Sequence, residues 1–407
     1  MTGQPVMDCA VLGAGPAGLA VSAALAVRGV DHVVLERGRV GETWRTQRWD
    51  SFRLNTPGWM NQMLGGQVPS AFAVGAEVVQ RLDALAAECP VRPGTQIAGL
   101  APNSAGYVVP TGEEVLYART VVVATGDQNV PRVPPLARDL PDWIAQQHTA
   151  DYRGPASLPP GGVLVVGSAQ SGCQIAEDLL SAGRRVVLAT SPVGRLPWRH
   201  RGRDSLEWLV EAGFFDQRPQ DLPDPGMINA AQPILGAGGR SLSLPSLARS
   251  GATLVGRPLT MTGESLPFDD NVKTNIAAGD AFAARVRTMI DELIRQRKLD
   301  APPSDPDDTD QPVDLTPPAA LNLRDEDINS VVWCTGFTGD FSWLTPELVG
   351  AGGQPLRDGV SGPIPGLWYV GLRWLTRRRS AILLGFPDDA ATIADAVKAH
   401  LSTRSTG

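Results

Sequence analysis

The chain has 407 residues and is 43% hydrophobic, enough for about two or three domains with a sizeable core. Its net charge of −7 argues against a general affinity for nucleic acid or for an anionic membrane surface. Cys9, Cys89, Cys173 and Cys334 are widely spaced and form no C-x-x-C, so a zinc site and a dithiol centre lack support, and a reducing cytoplasm is expected.

In chain order, Val6–Leu12 is a short apolar run that reads as a buried parallel strand. Gly13, Gly15 and Gly18 follow at G-x-G-x-x-G spacing, with Pro16 and Ala17 between them. Leu19–Arg28 is Ala-rich with no breaker and predicts a helix. Val33–Leu35 predicts a second strand, closed by Glu36 and Arg37. Each glycine has a task. Gly13 makes the tight turn, Gly15 lets the backbone approach a pyrophosphate, and Gly18 lets helix and strand pack closely. The helix start offers free N–H groups and a positive dipole end. Glu36 stands close to the roughly 20 residues at which such folds place the acid that binds a ribose hydroxyl. Cys9–Val27 carries no charge, and a hydropathy scan alone would consider a signal peptide or membrane helix there. Asp8 precedes it, no basic segment does, and Gly-Ala-Gly-Pro interrupts it, so strand–turn–helix is the better reading and no membrane span is expected.

Val40–Arg45 and Trp49–Pro57 come next. With Thr43 and Trp44, this stretch resembles the G-G-x-W and following segment of the class B flavin-dependent monooxygenases. That family holds the flavin-containing monooxygenases, the plant indole-pyruvate monooxygenases and the Baeyer–Villiger enzymes. Glu42 stands at the family's second glycine. The resemblance implies FAD at the first glycine turn, this segment lying along the flavin, and Asn55 as the catalytic polar residue on its C4a/N5 side. Turn chemistry, with Asn55 capping the bend before Thr56-Pro57, is the competing role.

Glu77–Ala87 predicts a helix. Val108–Val109 and Val115–Tyr117 predict short strands around a Thr111-Gly112 turn, and Val121–Val123 a further strand ending in Ala124-Thr125-Gly126. That ending resembles the family's return to the FAD before the chain crosses to the NADPH domain through a linker, here Asn129–Pro135. His148 and Tyr152 match the second half of the family's F-x-G-x-x-x-H-x-x-x-W/Y fingerprint, whose Phe and Gly are absent. His148 is read as a hinge or positioning residue, or simply a hydrogen-bonded histidine at the domain junction.

Gly162–Val166, Gly167-Ser168-Ala169-Gln170-Ser171-Gly172, a helix over Cys173–Ala182 and the strand Val186–Leu188 nearly repeat the start of the chain. Ala169 replaces the middle glycine, and backbone N–H groups with the hydroxyls of Ser168 and Ser171 remain for a pyrophosphate. Ala189 and Thr190 stand where Glu36 stands in the first unit, and neither is acidic. Arg195, Arg199, Arg201 and Arg203 follow, with Arg195 the first choice for a 2′-phosphate, so the second cofactor is expected to be NADPH.

Asp204–Leu299 carries little motif signal beyond a Gly236–Gly239 turn and an amphipathic helix over Asp280–Arg297. Ala301–Ala320, rich in Pro and Asp, reads as an exposed, partly disordered loop, and its prolines disfavour a calcium loop. Val331–Gly336 is a second strand ending in Thr-Gly and resembles the family's return to the FAD domain, with Gly336 at the flavin. Leu367–Leu372 and a helix over Asp388–Leu401 close the chain.

The expected fold is α/β with two dinucleotide-binding, Rossmann-like domains, the NADPH domain (131–328) inserted in the FAD domain (1–130 and 329–407). The resemblance implies a monooxygenase in which NADPH reduces FAD, O2 adds at flavin C4a and the peroxyflavin passes one oxygen to a small organic substrate. A flavin disulfide reductase would need the paired cysteines this sequence lacks. An NADPH oxidase releasing only peroxide and a non-catalytic flavin-binding protein stay open, as does a homodimer.

Overall fold

The computed structural model describes residues 6–65, 72–112 and 114–403. The chain begins with β1 (Val6–Leu12), α1 (Pro16–Val27) and β2 (His32–Leu35). Helix α1 starts at Pro16, earlier than the apolar pattern suggests, because proline suits a first helical position that needs no N–H. After α2 (Gly75–Ala86) comes β3 (Val115–Val123). Strand β1 pairs in parallel with β2 on one side and β3 on the other, with Leu12 opposite Leu35 and Val123.

Strand β3 is continuous where the sequence suggests two pieces. Arg119 and Thr120 break the apolar pattern but find partners within the domain. Arg119 bonds the Asp8 carboxylate at 3.0 Å and the Leu401 carbonyl at 3.1 Å, and the Thr120 hydroxyl donates to the Asp8 carbonyl. The first half of β3 pairs antiparallel with Gly106–Pro110; its last residues pair in parallel with Leu367–Tyr369, which returns from the far end of the chain.

Between these two visits lies a second, wholly parallel sheet. It contains β4 (Gly162–Val166), β5 (Val186–Ala189) and β6 (Ile328–Trp333), flanked by Thr253–Val255 and by Ala145–His148, a strand with no signal in the sequence. The NADPH-type domain is thus inserted within the first. Alternate residues of β4 enter different cores: Val163 and Val165 pack with Ile175 of α3 (Gln170–Ser181), while Leu164 and Val166 pack with Phe268 and Leu323. Helix α4 runs over Val272–Arg297, longer than its apolar stripe predicts, because its first turns carry polar residues such as Asn275. Asn275 is buried and donates to the Thr190 hydroxyl at 2.9 Å. The acidic loop 301–320 is tied down rather than loose: Asp310 bonds Arg195 and Arg287, Asp307 accepts from Ser241, and Arg249 donates to the Asp308 and Gln311 carbonyls. The final helix, α5 (Phe386–Thr403), packs on α1 and is pinned there by Arg28–Asp395 at 2.7 Å. Cys9–Val27 is β1, a turn and α1, and no helix among the described residues is long and apolar enough to cross a membrane.

Candidate active site

Both glycine turns are built alike. Gly13 has φ +112° and Gly167 φ +102°, a region that favours glycine, and a Cβ on either would stand within 2.7 Å of a carbonyl oxygen of the neighbouring strand end, Ala124 or Cys334. Gly18 and Gly172 press against these turn residues: a Cβ would lie 1.9 Å from the Gly13 oxygen and 1.8 Å from the Gly167 oxygen. The middle positions differ. A Cβ on Gly15 would meet nothing within 4 Å, so the space it vacates is open, whereas Ala169 carries its own Cβ at the matching place.

The first turn is braced by an acid. One Glu36 oxygen accepts from Ala14 N–H and the other from Gly38 N–H, both at 2.9 Å. Arg37 beside it is exposed, and its charge helps to hold the Asp340 carboxyl below the usual range, after the hydrogen bonds from Ser342. The second turn is braced by neutral groups. Ser191 N–H donates to the Ser168 hydroxyl at 2.9 Å. The Gln170 amide is held by the Leu235 backbone, accepting from its N–H at 2.9 Å and donating to its carbonyl.

The two turns open on a common cavity of about 390 Å³. Gly15, Pro16 and Ala17 line it from the first turn, Gln170 and Ser171 from the second. Thr43, Trp44, Asn55, Thr125 and Gly126 complete the predicted set in its wall. Its buried polar atoms include Gln47 Oε1 and Thr125 Oγ1, neither of which has a protein partner among the described residues. Open space at Gly15 and unpaired polar atoms around it suit a bound dinucleotide whose ring carries hydrogen-bonding edges.

Asn55 does not act as the turn residue. That work falls to Asn61, which donates to the Thr56 and Pro57 carbonyls and accepts from the Thr56 hydroxyl. The Asn55 Oδ1 instead accepts from Gln174 of α3 at 3.1 Å, a bond across the two domains. Gln174 was not foreseen; its only signal was a polar residue one helical turn after Gln170, on the same face. Gln47 and Arg48 are further wall residues that the motif reading passed over.

His148 lies at the domain junction. Its Nε2 is 3.1 Å from the Gly336 carbonyl, its Nδ1 accepts from Ala150 N–H, and its ring meets Phe337 edge-on at 4.8 Å. Those partners require the tautomer with the proton on Nε2. Burial lowers the His148 pKa, which favours the neutral ring. Gly336 therefore stands at this junction, with Phe337 after it in the cavity wall.

Arg195 is the correction. It is buried, bonded to Asp280 at 2.8 Å and to Asp310 at 2.5 Å, so its charge is spent inside the domain rather than offered to a 2′-phosphate. Arg199, Arg201 and Arg203 likewise face Asp204, Asp291 and a Glu207/Glu211 pair. The four thiols are free; burial is the main cause that pushes Cys9 and Cys334 up to about 12, and it raises Cys173 as well.

Residues 10–210 match the pyridine nucleotide-disulphide oxidoreductase family. A CzcO-like oxidoreductase of Geobacillus kaustophilus is 26% identical over 98% of this chain and 100% of its own length. Indole-3-pyruvate monooxygenase YUCCA1 of Oryza sativa subsp. japonica is 28% identical over 96% of this chain and 91% of its own. The fold is that of a flavin-containing monooxygenase from Stenotrophomonas maltophilia, with a TM-score of 0.67 at 18% identity, covering 98% and 100% of the two chains. The family match, the full-length relatives and the shared two-domain fold make this chain an oxidoreductase that resembles the flavin-dependent monooxygenases.

Proposed function

We propose that the chain is an FAD- and NADPH-dependent monooxygenase that inserts one atom of O2 into a small organic substrate. The observation that carries this reading is the shared cavity: two dinucleotide turns open on it, and Asn55 and Gln174 are bonded across it. FAD belongs at Gly13–Gly18, with Glu36, Thr43, Trp44, Thr125 and Gly126 around it. NADPH belongs at Gly167–Gly172. Bound FAD supplies the acceptance of hydride and the activation of O2.

The protein's own groups bind, orient and exclude water. The N–H groups at the starts of α1 and α3 receive the pyrophosphates. The Ser168–Ser191 brace puts no carboxylate where a 2′-phosphate must lie, which favours NADPH over NADH even with Arg195 occupied. With its oxygen held by Gln174, Asn55 keeps its N–H2 group for the cavity. A neutral amide donates a hydrogen bond there without an easily transferred proton. Trp44, Phe52, Leu383 and Phe386 give the cavity apolar walls.

The test follows NADPH use, product and peroxide across a panel of nucleophilic and ketone substrates. Wild-type protein is expected to carry FAD and to form product. Asn55→Ala is expected to keep flavin and NADPH-driven reduction while releasing more peroxide per NADPH. Unchanged coupling in that variant removes Asn55 from the site, and peroxide without product on every substrate makes the protein an NADPH oxidase.

A further inference from the structure

We propose that Asp178 is a positioning residue of the candidate active site: from helix α3 it grips the segment that carries Asn55, and so sets where Asn55 meets the cavity. This deepens the reading above and rests on it for what Asn55 does there.

Gln170, Gln174 and Asp178 recur at every fourth residue of α3 and share one face of that helix. Gln174 donates to Asn55 at 3.1 Å. One turn further on, the two Asp178 oxygens are divided between two other segments. One accepts from the Ser51 hydroxyl and the other from the Tyr152 phenol, each at 2.7 Å. Tyr152 is wholly buried, so its hydroxyl needs such an acceptor. Four residues after His148, it braces Asp178 from the domain junction. The same stretch is joined to the Asn55 segment by its backbone: Asp50 N–H donates to the Arg153 carbonyl at 2.8 Å, and Arg153 donates to the Thr46 carbonyl. Glu177, next to Asp178, pairs instead with Arg240.

One hydrogen bond fixes a point but not a direction. Gln174 and Asp178 stand about 6 Å apart along α3. They hold Asn55 and Ser51, which stand at the two ends of one short stretch. Together the two bonds set both the place and the slope of residues 51–55 against the helix. Leu54 N–H donates to the Ala73 carbonyl at 2.9 Å and ties the stretch to its own domain. With Asp178 gone, the bond from Gln174 is the one side-chain hydrogen bond left between this stretch and α3 among the described residues. A shift of about 1 Å at a group that touches the reacting atoms can cost about a hundred-fold in rate, so a second grip on the stretch matters to Asn55.

The experiment compares flavin-bearing wild type with Asp178→Ala, Asp178→Asn and Ser51→Ala, and with Asp178→Ala in an Asn55→Ala background. It reads hydrogen exchange over residues 46–55 by mass spectrometry, anaerobic flavin reduction by NADPH, and peroxide release during NADPH oxidation in air. Expected in Asp178→Ala are faster exchange over 46–55, reduction within about two-fold of wild type, and peroxide release raised about five-fold, as for one lost hydrogen bond. Asp178→Ala also strands the buried Tyr152 hydroxyl, so Ser51→Ala, which spares that bond, is the milder companion and should show the same pattern more weakly. Asp178→Asn keeps an acceptor and should lie between Asp178→Ala and wild type. In the Asn55→Ala background, Asp178→Ala should add nothing to peroxide release, whereas a merely structural role would add to it. The proposal is overturned if exchange over 46–55 stays at the wild-type rate in both Asp178→Ala and Ser51→Ala, or if the loss falls on reduction instead of peroxide release. It is also overturned if the Asp178 and Asn55 effects add, or if Asp178→Asn is no better than Asp178→Ala. Should Asn55→Ala alone leave peroxide release unchanged, the reading of Asn55 above falls, and exchange over 46–55 alone decides whether Asp178 holds the stretch.

Discussion

The two glycine turns are the same steric device with different braces. Their outer glycines do the same steric work, with Gly18 against Gly13 and Gly172 against Gly167 at nearly equal closeness. Their middle positions and braces differ. The first turn leaves open space at Gly15 and is tied to a carboxylate; the second carries Ala169 and is tied by serine hydroxyls. Packing fixes the turn, and the residues free of packing set the ligand. A tightly held flavin suits the open, acid-braced turn. A dinucleotide with an extra phosphate, which must come and go in each cycle, suits the tighter and neutral one.

The strongest way to break this comparison is Gly15→Val. Its side chain would enter space that holds no protein atom, so the apo fold should survive with a melting temperature near that of wild type. Flavin should be lost, because the methyl groups take the room the pyrophosphate backbone contact needs. The matching change in the second turn, Ala169→Val, should leave flavin bound and raise the KM for NADPH. A Gly15→Val protein with a full flavin spectrum would place FAD elsewhere.

Charge sharpens the comparison with smaller effects. Wild type should show a higher kcat/KM with NADPH than with NADH; equal values would sink that preference. Ser191→Asp puts an acid beside Ser168, one residue after Thr190, the position that matches Glu36. It should cut the NADPH:NADH preference by about ten-fold or more while flavin content stays constant. Glu36→Gln exchanges a charged acceptor for a neutral one at Ala14 N–H, which costs about 1 kcal/mol in holding the turn and should weaken flavin binding by about five-fold at most. Flavin titration of the apo variants checks both.

The first turn was legible in the sequence because everything it needs is local: strand, three glycines, helix and Glu36 lie within one short stretch. The second became legible by repetition. Arg195 misled because the aspartates that neutralise it lie far along the chain, at 280 and 310, and nothing in its own neighbourhood announces them. The cavity wall was only half legible. Thr43, Trp44 and Asn55 rode on a motif, while Gln47 and Arg48 sit within that same stretch and their place in the wall shows only in the fold. The bond from Gln174 to Asn55 joins segments of different domains and appears only once both are folded. Likewise, Arg119 and Thr120 hid the continuity of β3 because their satisfaction comes from Asp8 on the neighbouring strand and Leu401 on the last helix.

The smallest expected effect concerns the joint between the two units. His148 holds the Gly336 carbonyl through Nε2 and receives Ala150 N–H on Nδ1, so it works only as the neutral ring. Burial lowers its pKa; the Gly336 carbonyl and the nearby Asp151 carboxylate offset part of that fall. In the unfolded chain the same ring takes up its proton near pH 6.5. Below that pH the unfolded state binds more protons than the native one, so stability falls as pH drops from about 6.5 towards the lower native value. Above pH 6.5 both states are neutral and His148 adds no slope. His148→Gln keeps an N–H donor for Gly336 but cannot titrate. Its melting temperature should therefore change less between pH 7 and pH 5 than that of wild type, the difference between the two curves opening only below about pH 6.5. The two proteins are compared by thermal denaturation of the flavin-bearing forms in matched ionic strength. Parallel curves would mean that the junction tolerates the imidazolium, and that the neutral ring is not what holds the Gly336 turn against the second domain.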